Sequence, residues 1–155
     1  MTDFPRPEPI ILAEFLPYQL SVASNAVSQL IAQQYQARFG LTIPEWRLIA
    51  VLGQGAPHTQ TALVAATRMD KVTVSRATKA LVDRGLMCRE PSVSDGRSHH
   101  VRLSKVGQSL YADVVPAALR IEAQILAALP AGAQVQFAEL LGRLTRAADN
   151  LRDRI

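Results

Sequence analysis

A stretch of small, polar and cationic residues between Asp70 and Arg84 holds the side chains best suited to recognition chemistry. At about 100° per residue, a helix over this stretch turns one side to the core and the other to solvent. The core side consists of Val74, Ala77, Thr78 and Leu81, and the solvent side of Val72, Ser75, Arg76, Lys79 and Asp83. The solvent side is narrow enough to enter a DNA major groove, which is about 12 Å wide.

The solvent side carries groups that match the chemistry of duplex DNA. Arg76 could donate two hydrogen bonds to a guanine edge, and the methyl groups of Val72 suit a thymine methyl. Thr73, Ser75 and Lys79 are candidates for phosphate contacts, and the amide groups at a helix N-terminus favour an anion. An ordinary solvated helix has the same pattern, so DNA binding needs a second signal.

The second signal is a polar turn between two segments of alternating hydrophobicity. Arg97 lies at its tip, with Ser98 beside it and Asp95 two residues away. An A-tract minor groove is narrow and strongly negative, and it attracts an inserted arginine. Asp95 could pair with Arg97 and hold it extended. A polar turn with an incidental cation is the alternative, but a cationic helix beside a cationic turn favours DNA binding.

The elements that must position these groups follow from local signals. The predicted elements are a long helix over 10–39, short helices over 43–52, 60–66 and 71–84, a hairpin over 86–103, a helix over 105–129 and a last helix after Gly132. Thr42 and Glu45 form a capping box, and Pro17 either kinks the first helix or marks its start. In the first hairpin strand, the alternation predicts that Leu86 and Cys88 lie on the apolar side.

Three short helices followed by a hairpin are typical of a winged helix-turn-helix. We therefore expect a mainly α fold with a small β-hairpin (α+β) in a single domain over 1–155. Residues 42–103 form the predicted DNA-binding region, and the long helices over 10–39 and 105–153 are available for dimerisation. One recognition helix covers few base pairs, so two copies about 34 Å apart would read two half-sites.

Composition and charge agree with this interpretation. The chain has 155 residues and a net charge of +4. Residues 59–105 hold nine Lys/Arg and four Asp/Glu, so the positive charge is concentrated in the middle of the chain. A single cysteine, Cys88, excludes an intramolecular disulfide and fits a reducing compartment. We see no secretory leader and no apolar stretch of membrane-spanning length, so we expect a cytoplasmic protein.

Catalysis and cofactor binding find no support in the sequence. Three histidines and one cysteine suggest no nucleophile–base pair, and there is no phosphate-binding glycine loop. We therefore expect no enzymatic activity, no cofactor and no metal site.

Several segments resemble the MarR family of bacterial transcriptional regulators, from about residue 10 to 153. They are residues 41–46 (LTIPEW), 69–76 (MDKVTVSR), 81–86 (LVDRGL), 95–98 (DGRS) and 103–107 (LSKVG). The resemblance implies a triangular obligate dimer at the nucleoid, bound to a pseudo-palindromic operator and usually acting as a repressor. It assigns recognition-helix roles to Thr73, Ser75 and Arg76, and wing roles to Asp95 and Arg97. Ala62 departs from the family, many of whose members carry an acidic residue there.

The resemblance also implies release from DNA by a small phenolic or aromatic acid. Tyr18, Ser21 and Asn25 lie at helical spacing on the first long helix, and Trp46, Arg47 and Met69 could approach from the other side. Arg47 would suit a carboxylate. Ordinary packing explains these residues at least as well.

Three other interpretations stay open. Cys88 could make the protein redox-responsive, although the apolar side of a strand favours an inert thiol. His58, His99 and His100 could serve metal sensing, although adjacent strand residues point to opposite faces. The winged helix could also be a protein-interaction module without specific DNA binding, against which Arg76, Asp95 and Arg97 argue.

Overall fold

The chain folds mainly into helices around a small antiparallel sheet, which confirms the predicted fold class. The computed structural model describes residues 9–91 and 99–154. After a single 3-10 turn, Leu12–Glu14, the elements are α1 (Leu16–Phe39), α2 (Ile43–Leu52), β1 (His58–Thr59), α3 (Gln60–Thr67), α4 (Lys71–Asp83), β2 (Met87–Pro91), β3 (His99–Leu103), α5 (Lys105–Leu126) and α6 (Ala133–Arg152). The chain divides into two compact units, the first ending at Val114 and the second beginning at Val115.

Local capping signals set the starts of the short helices. The Thr42 amide donates to Glu45 Oε2 at 2.7 Å, and the Glu45 amide donates to Thr42 Oγ1 at 3.4 Å, which confirms the capping box. Thr59 caps α3 through a single bond, in which the Ala62 amide donates to Thr59 Oγ1 at 3.1 Å. Pro17 lies in the first turn of α1, where its missing amide hydrogen costs nothing, so it marks the start of this helix.

The sheet has three strands in the order β1-β3-β2, and β1 was not predicted. In the β2–β3 ladder Met87 pairs with Leu103 and Cys88 with Arg102. The predicted side for Cys88 is therefore wrong, because directly paired residues share a face and Arg102 is exposed. Leu86 is buried ahead of the strand, so the alternation begins one residue later, at buried Met87.

The core of the first unit lies between α1, α2, α3, α4 and the sheet. Its fully buried side chains include Tyr35, Leu41, Leu48, Ile49, Leu63, Val74 and Leu81. Each apolar side chain of this size contributes about 1.5–3 kcal/mol on burial. The four residues expected on the core side of α4 are all buried, so the helix packs on the core along one face.

The second unit contains the C-terminal part of α5 and all of α6. None of the described side chains of α6 is buried. One face of α6 shows Phe137, Leu140, Leu141, Leu144 and Leu151, all exposed. No helix within residues 9–91 and 99–154 combines the length and the hydropathy needed to cross a membrane.

Candidate nucleic-acid interface

The outward face of α4 is cationic and open to solvent. Ser75, Arg76 and Lys79 are exposed, and Val72 keeps 57% of its surface accessible. Val74, Ala77, Thr78 and Leu81 pack into the core behind them. The structure therefore brings together on one face the α4 residues that were expected to contact DNA, with the exception of half-buried Thr73.

Asp70 and Thr73 close the first turn of α4. The Thr73 amide donates to Asp70 Oδ1 at 2.8 Å, and its hydroxyl donates to Oδ2 at 2.6 Å. These bonds lower the pKa of the Asp70 carboxyl from its ordinary value of 3.8. The cap therefore stabilises the fold above that value and is lost as the pH falls through the lowered pKa. A phosphate contact from the Thr73 hydroxyl would have to break its bond to Asp70.

The turn between α3 and α4 depends on a left-handed arginine. Arg68 has φ 55°, in a region that residues with a side chain rarely adopt. It ends α3, with its amide donating to the Val64 carbonyl at 2.9 Å. This conformation directs the chain into Met69 and the Asp70 cap, and so sets the start of α4.

Lys79 is held by an acidic neighbour on the same helix. Its Nζ lies 2.5 Å from Asp83 Oδ2, and both side chains are exposed. Asp83 therefore neutralises part of the charge that Lys79 would offer to a phosphate.

The C-terminal end of α4 is tied to α1, α2 and the start of α5 by contacts that leave no local signal in the sequence. Arg84 donates to the carbonyls of Phe39 and Gly40 at the end of α1, and it lies 3.8 Å from Glu45 of α2. Ser104, just before α5, donates through its hydroxyl to the Gly85 carbonyl at 2.7 Å.

A cavity of about 420 Å³ lies beside α4, against the sheet and the start of α3. Its lining includes Thr59, Ser75, Thr78, Arg89 and His99. Thr78 is 1% exposed, and its hydroxyl has no hydrogen-bond partner within the described residues. The sequence pattern assigned Thr78 to the core and gave no sign of this cavity.

The predicted wing residues Asp95, Arg97 and Ser98 lie outside the described residues. The strands that lead to and from this segment are described, and they are joined by an ion pair between Glu90 and Arg102. The wing contacts stay a prediction from the sequence.

The residues predicted to bind an effector occupy different surroundings. Tyr18, Ser21 and Asn25 are exposed on α1, Arg47 is exposed on α2, and Met69 packs against the core. None of the six lines the cavity beside α4, the shallow cleft along Thr42 and Arg76, or the cavity beside Gly53.

Trp46 is the middle ring of an aromatic stack. Its ring centroid lies 5.3 Å from that of Tyr35 and 6.4 Å from that of Tyr111. Burial raises the pKa of the Tyr35 hydroxyl, and the positive charge of Arg47 opposes this shift. Tyr35 and Tyr111 were missed because residues so far apart in sequence give no local signal of contact.

Cys88 lies on β2, at one edge of the three-stranded sheet. Cys88 is half-buried, and its thiol lies 3.8 Å from the Arg102 carbonyl. Within 9–91 and 99–154, no three His, Cys, Asp or Glu side chains are grouped as metal ligands.

Curated relatives of this chain are transcriptional regulators. Transcriptional regulator HosA of Escherichia coli O157:H7 is 26% identical, over 81% of this chain and 98% of its own. The HTH-type transcriptional repressor NicR of Pseudomonas putida is 28% identical, over 77% of this chain and 76% of its own.

Solved structures share this fold. A probable transcriptional regulator from Pseudomonas aeruginosa is 32% identical with a TM-score of 0.75, over 86% of this chain and 98% of its own. A MarR/EmrR family regulator from Acinetobacter sp. ADP1 is 25% identical with a TM-score of 0.82, over 91% of this chain and 99% of its own. BpsR of Bordetella bronchiseptica shares the fold, with 23% identity and a TM-score of 0.80 over 88% of this chain and 97% of its own.

The family profile itself matches residues 39–98, which run from the end of α1 through the helix-turn-helix to the segment after β2. The profile is that of the MarR family. With the fold, the relatives and this match in agreement, the chain belongs to the MarR family of winged-helix transcriptional regulators.

Proposed function

We propose that this protein is a dimeric repressor that binds a pseudo-palindromic operator through α4 and releases it when a small aromatic acid binds. The observation that carries the proposal is the exposed face of α4, where Val72, Ser75, Arg76 and Lys79 are presented by a helix whose opposite face is buried in the core. Base edges in the major groove are read by side chains on such a helix, with Arg76 suited to guanine and Val72 to thymine. The helix N-terminus and Ser75 would position the protein on phosphates.

Dimerisation is supported by the apolar side chains that a single copy leaves exposed. On α1 these include Leu16, Val22 and Leu30, and on α6 they include Leu141 and Leu144. An exposed apolar surface of this kind on a helix marks an interaction site. A second copy would bury it and would place two α4 helices on one duplex, at half-sites about 34 Å apart.

Leu144→Glu on α6 is expected to separate the dimer. Leu144 is 44% exposed in the single chain, and a charge placed there would lose its water on dimerisation. We expect the dissociation constant to rise about 100-fold, because an unpaired buried charge costs about 3 kcal/mol or more. Sedimentation velocity over a concentration series measures the change.

Asn150→Glu is the matched control, since it introduces the same charge on α6 at a position that helical spacing places away from Leu144. This variant should remain a dimer. If both variants dissociate equally, the apolar face of α6 is not the interface.

Operator binding is tested by selecting duplexes from a random library with the full chain. The proposal expects enrichment of an inverted repeat, and binding to it that weakens steeply as the salt concentration rises. Equal affinity for the enriched duplex and a scrambled duplex of the same length, at one salt concentration, would reject sequence-specific recognition.

Asp83→Asn is expected to strengthen binding to any duplex. The change frees Lys79 from its ion pair and removes one negative charge beside the proposed interface. We expect affinity for the scrambled duplex to rise about three- to tenfold at low salt, with a gain that shrinks as salt is added. Asp113→Asn on α5 removes the same charge from another helix and serves as the control. Unchanged affinity in Asp83→Asn would mean that Lys79 does not face the phosphates.

An aromatic acid is the effector class we propose. DNA binding by BpsR is regulated by 6-hydroxynicotinic acid, and BpsR has the same fold as this chain. Here Arg47 follows Trp46 in α2, and its positive charge opposes the rise in the pKa of Tyr35, which stacks on Trp46. A guanidinium beside aromatic rings suits a planar carboxylate.

Arg47→Ala is expected to weaken the response to such an acid while leaving operator affinity without the acid unchanged. With 6-hydroxynicotinic acid as the probe, we expect the concentration that half-releases the duplex to rise about tenfold, since a charge-assisted hydrogen bond contributes about 1.5–3 kcal/mol. Fluorescence of Trp46, the single tryptophan, reports binding in parallel. Arg143→Ala on α6 is the control, and an unchanged response in Arg47→Ala would remove Arg47 from the effector site.

A further inference from the structure

Arg84 connects the end of α4 to the end of α1. Its Nη2 donates to the Phe39 carbonyl, and its Nη1 donates to the Gly40 carbonyl at 3.3 Å. The last carbonyls of a helix accept no hydrogen bond within that helix, so they need a hydrogen-bond donor from another part of the chain. One guanidinium supplies it to α1 from a residue 44 positions further along the chain.

The same guanidinium is held from a second direction by a buried carboxylate. Glu45 Oε2 lies 3.8 Å from Arg84 Nη1, and Glu45 is 7% exposed. Glu45 also accepts the Thr42 amide at 2.7 Å, so its position is set by the capping box of α2. A planar guanidinium can reach two carbonyls and a carboxylate at once, whereas a lysine ammonium is a single point charge.

The two residues after Arg84 are tied to the start of α5. The Ser104 hydroxyl donates to the Gly85 carbonyl at 2.7 Å, and the Ser104 amide donates to the Leu86 carbonyl at 3.0 Å. The Gly107 amide donates to Ser104 Oγ at 3.1 Å. The C-terminal end of α4 is thus anchored on both sides, by Arg84 to α1 and α2, and by Gly85 and Leu86 to α5.

We propose that Arg84 is a positioning residue for DNA recognition, which sets the angle of α4 by tying its end to α1 and α2. The inference rests on the proposed function, in which α4 reads the major groove. Arg76 lies eight residues before Arg84, or about 12 Å along the helix axis. A tilt of about 5° at the anchored end would therefore move Arg76 by about 1 Å, enough to break hydrogen bonds to a base edge.

Arg84→Lys separates this role from a phosphate contact, because it keeps the charge and loses the planar group. We expect the ratio of affinities for the selected and scrambled duplexes to fall about tenfold, while affinity for the scrambled duplex stays within about twofold. Arg143→Lys makes the same change at an ion pair with Glu139 on α6 and should keep the wild-type ratio.

Glu45→Gln provides a second variant that keeps an acceptor for the Thr42 amide and removes the charge beside Arg84. We expect the ratio of affinities for the selected and scrambled duplexes to fall about threefold. The double variant should have the same ratio as Arg84→Lys alone, because both changes act through one contact. Melting curves establish that each variant is folded at the assay temperature. A purely structural role would lower the melting temperature and the active fraction but leave the affinity ratio of the folded protein unchanged.

The outcomes distinguish the two proposals. A wild-type protein that enriches no duplex rejects the proposed function and this inference with it. In a second outcome, the wild-type protein prefers the selected duplex while Arg84→Lys and Glu45→Gln keep the wild-type affinity ratio. That result rejects the positioning role and leaves the proposed function standing. Arg84→Lys could also keep the wild-type affinity ratio while Arg84→Gln loses affinity equally for the selected and scrambled duplexes. Arg84 would then be a phosphate contact, and the inference would be overturned.

Discussion

Gly107→Ala is expected to destabilise the first unit by about 3 kcal/mol or more, since overpacking against backbone cannot be relieved by a rotamer change. A Cβ at this position would lie 2.1 Å from the Leu86 carbonyl oxygen and 3.1 Å from its carbon. The first turn of α5 would have to move away from the end of α4, and the hydrogen bonds of Ser104 to Gly85 and Leu86 would stretch. Chemical denaturation at several protein concentrations measures the free energy of unfolding.

Gly142→Ala is the matched control within a helix. Among the described residues, a Cβ there meets the end of the Arg146 side chain, at 3.4 Å. Alanine is favoured over glycine inside a helix by about 0.8–1.0 kcal/mol, so this variant should be as stable as the wild type or slightly more so. Equal stability of Gly107→Ala and the wild type would show that α5 does not approach Leu86 this closely.

Arg76→Ala is expected to have the largest effect on specific DNA binding. Loss of a bidentate contact to a base should cost about 1–3 kcal/mol per half-site, and preference at one base position should disappear. Fluorescence anisotropy with the selected duplex, and with duplexes substituted at single positions, measures both effects. Arg143→Ala removes the same charge from α6 and should bind like the wild type.

The loss of base preference at each operator position distinguishes the role of Arg76 from that of Arg84. Arg76→Ala should relax one position in each half-site, because one side chain contacts one base pair. Arg84→Lys should reduce discrimination at every position that α4 reads, because it changes the angle of the whole helix. If Arg76→Ala leaves the preference intact at all positions, then Arg76 does not contact a base and the assignment of the reading face is wrong.

Much of the first unit could be predicted from the sequence because its signals are local. The Thr42–Glu45 capping box acts between residues three apart, and it determined the start of α2. Gly85 has φ 69° and follows α4, while the Leu86 amide donates to the Leu81 carbonyl at 2.9 Å, as in a Schellman motif. The core and solvent sides of α4 followed from its helical period.

The errors share one cause, since each concerns a pairing between distant segments. The side of β2 on which Cys88 lies depends on where its ladder with β3 begins, and a shift of one residue reverses every side chain. Strand β1 has only two residues, and its pairing of His58 with Val101 left no periodic signal. The wing contacts of Asp95, Arg97 and Ser98 and the effector residues remain predictions.

By itself the sequence determined the helices, their caps, the cationic outer face of α4 and the resemblance to a family, because propensity, capping and periodicity act within a few residues. Only the tertiary structure decided how α4 is anchored, through Arg84 to the carbonyls of Phe39 and Gly40 and through Ser104 to Gly85. It also decided that Tyr35, Trp46 and Tyr111 form one stack. These contacts join residues that are neighbours only after the chain has folded, so their geometry depends on the packing of the whole unit.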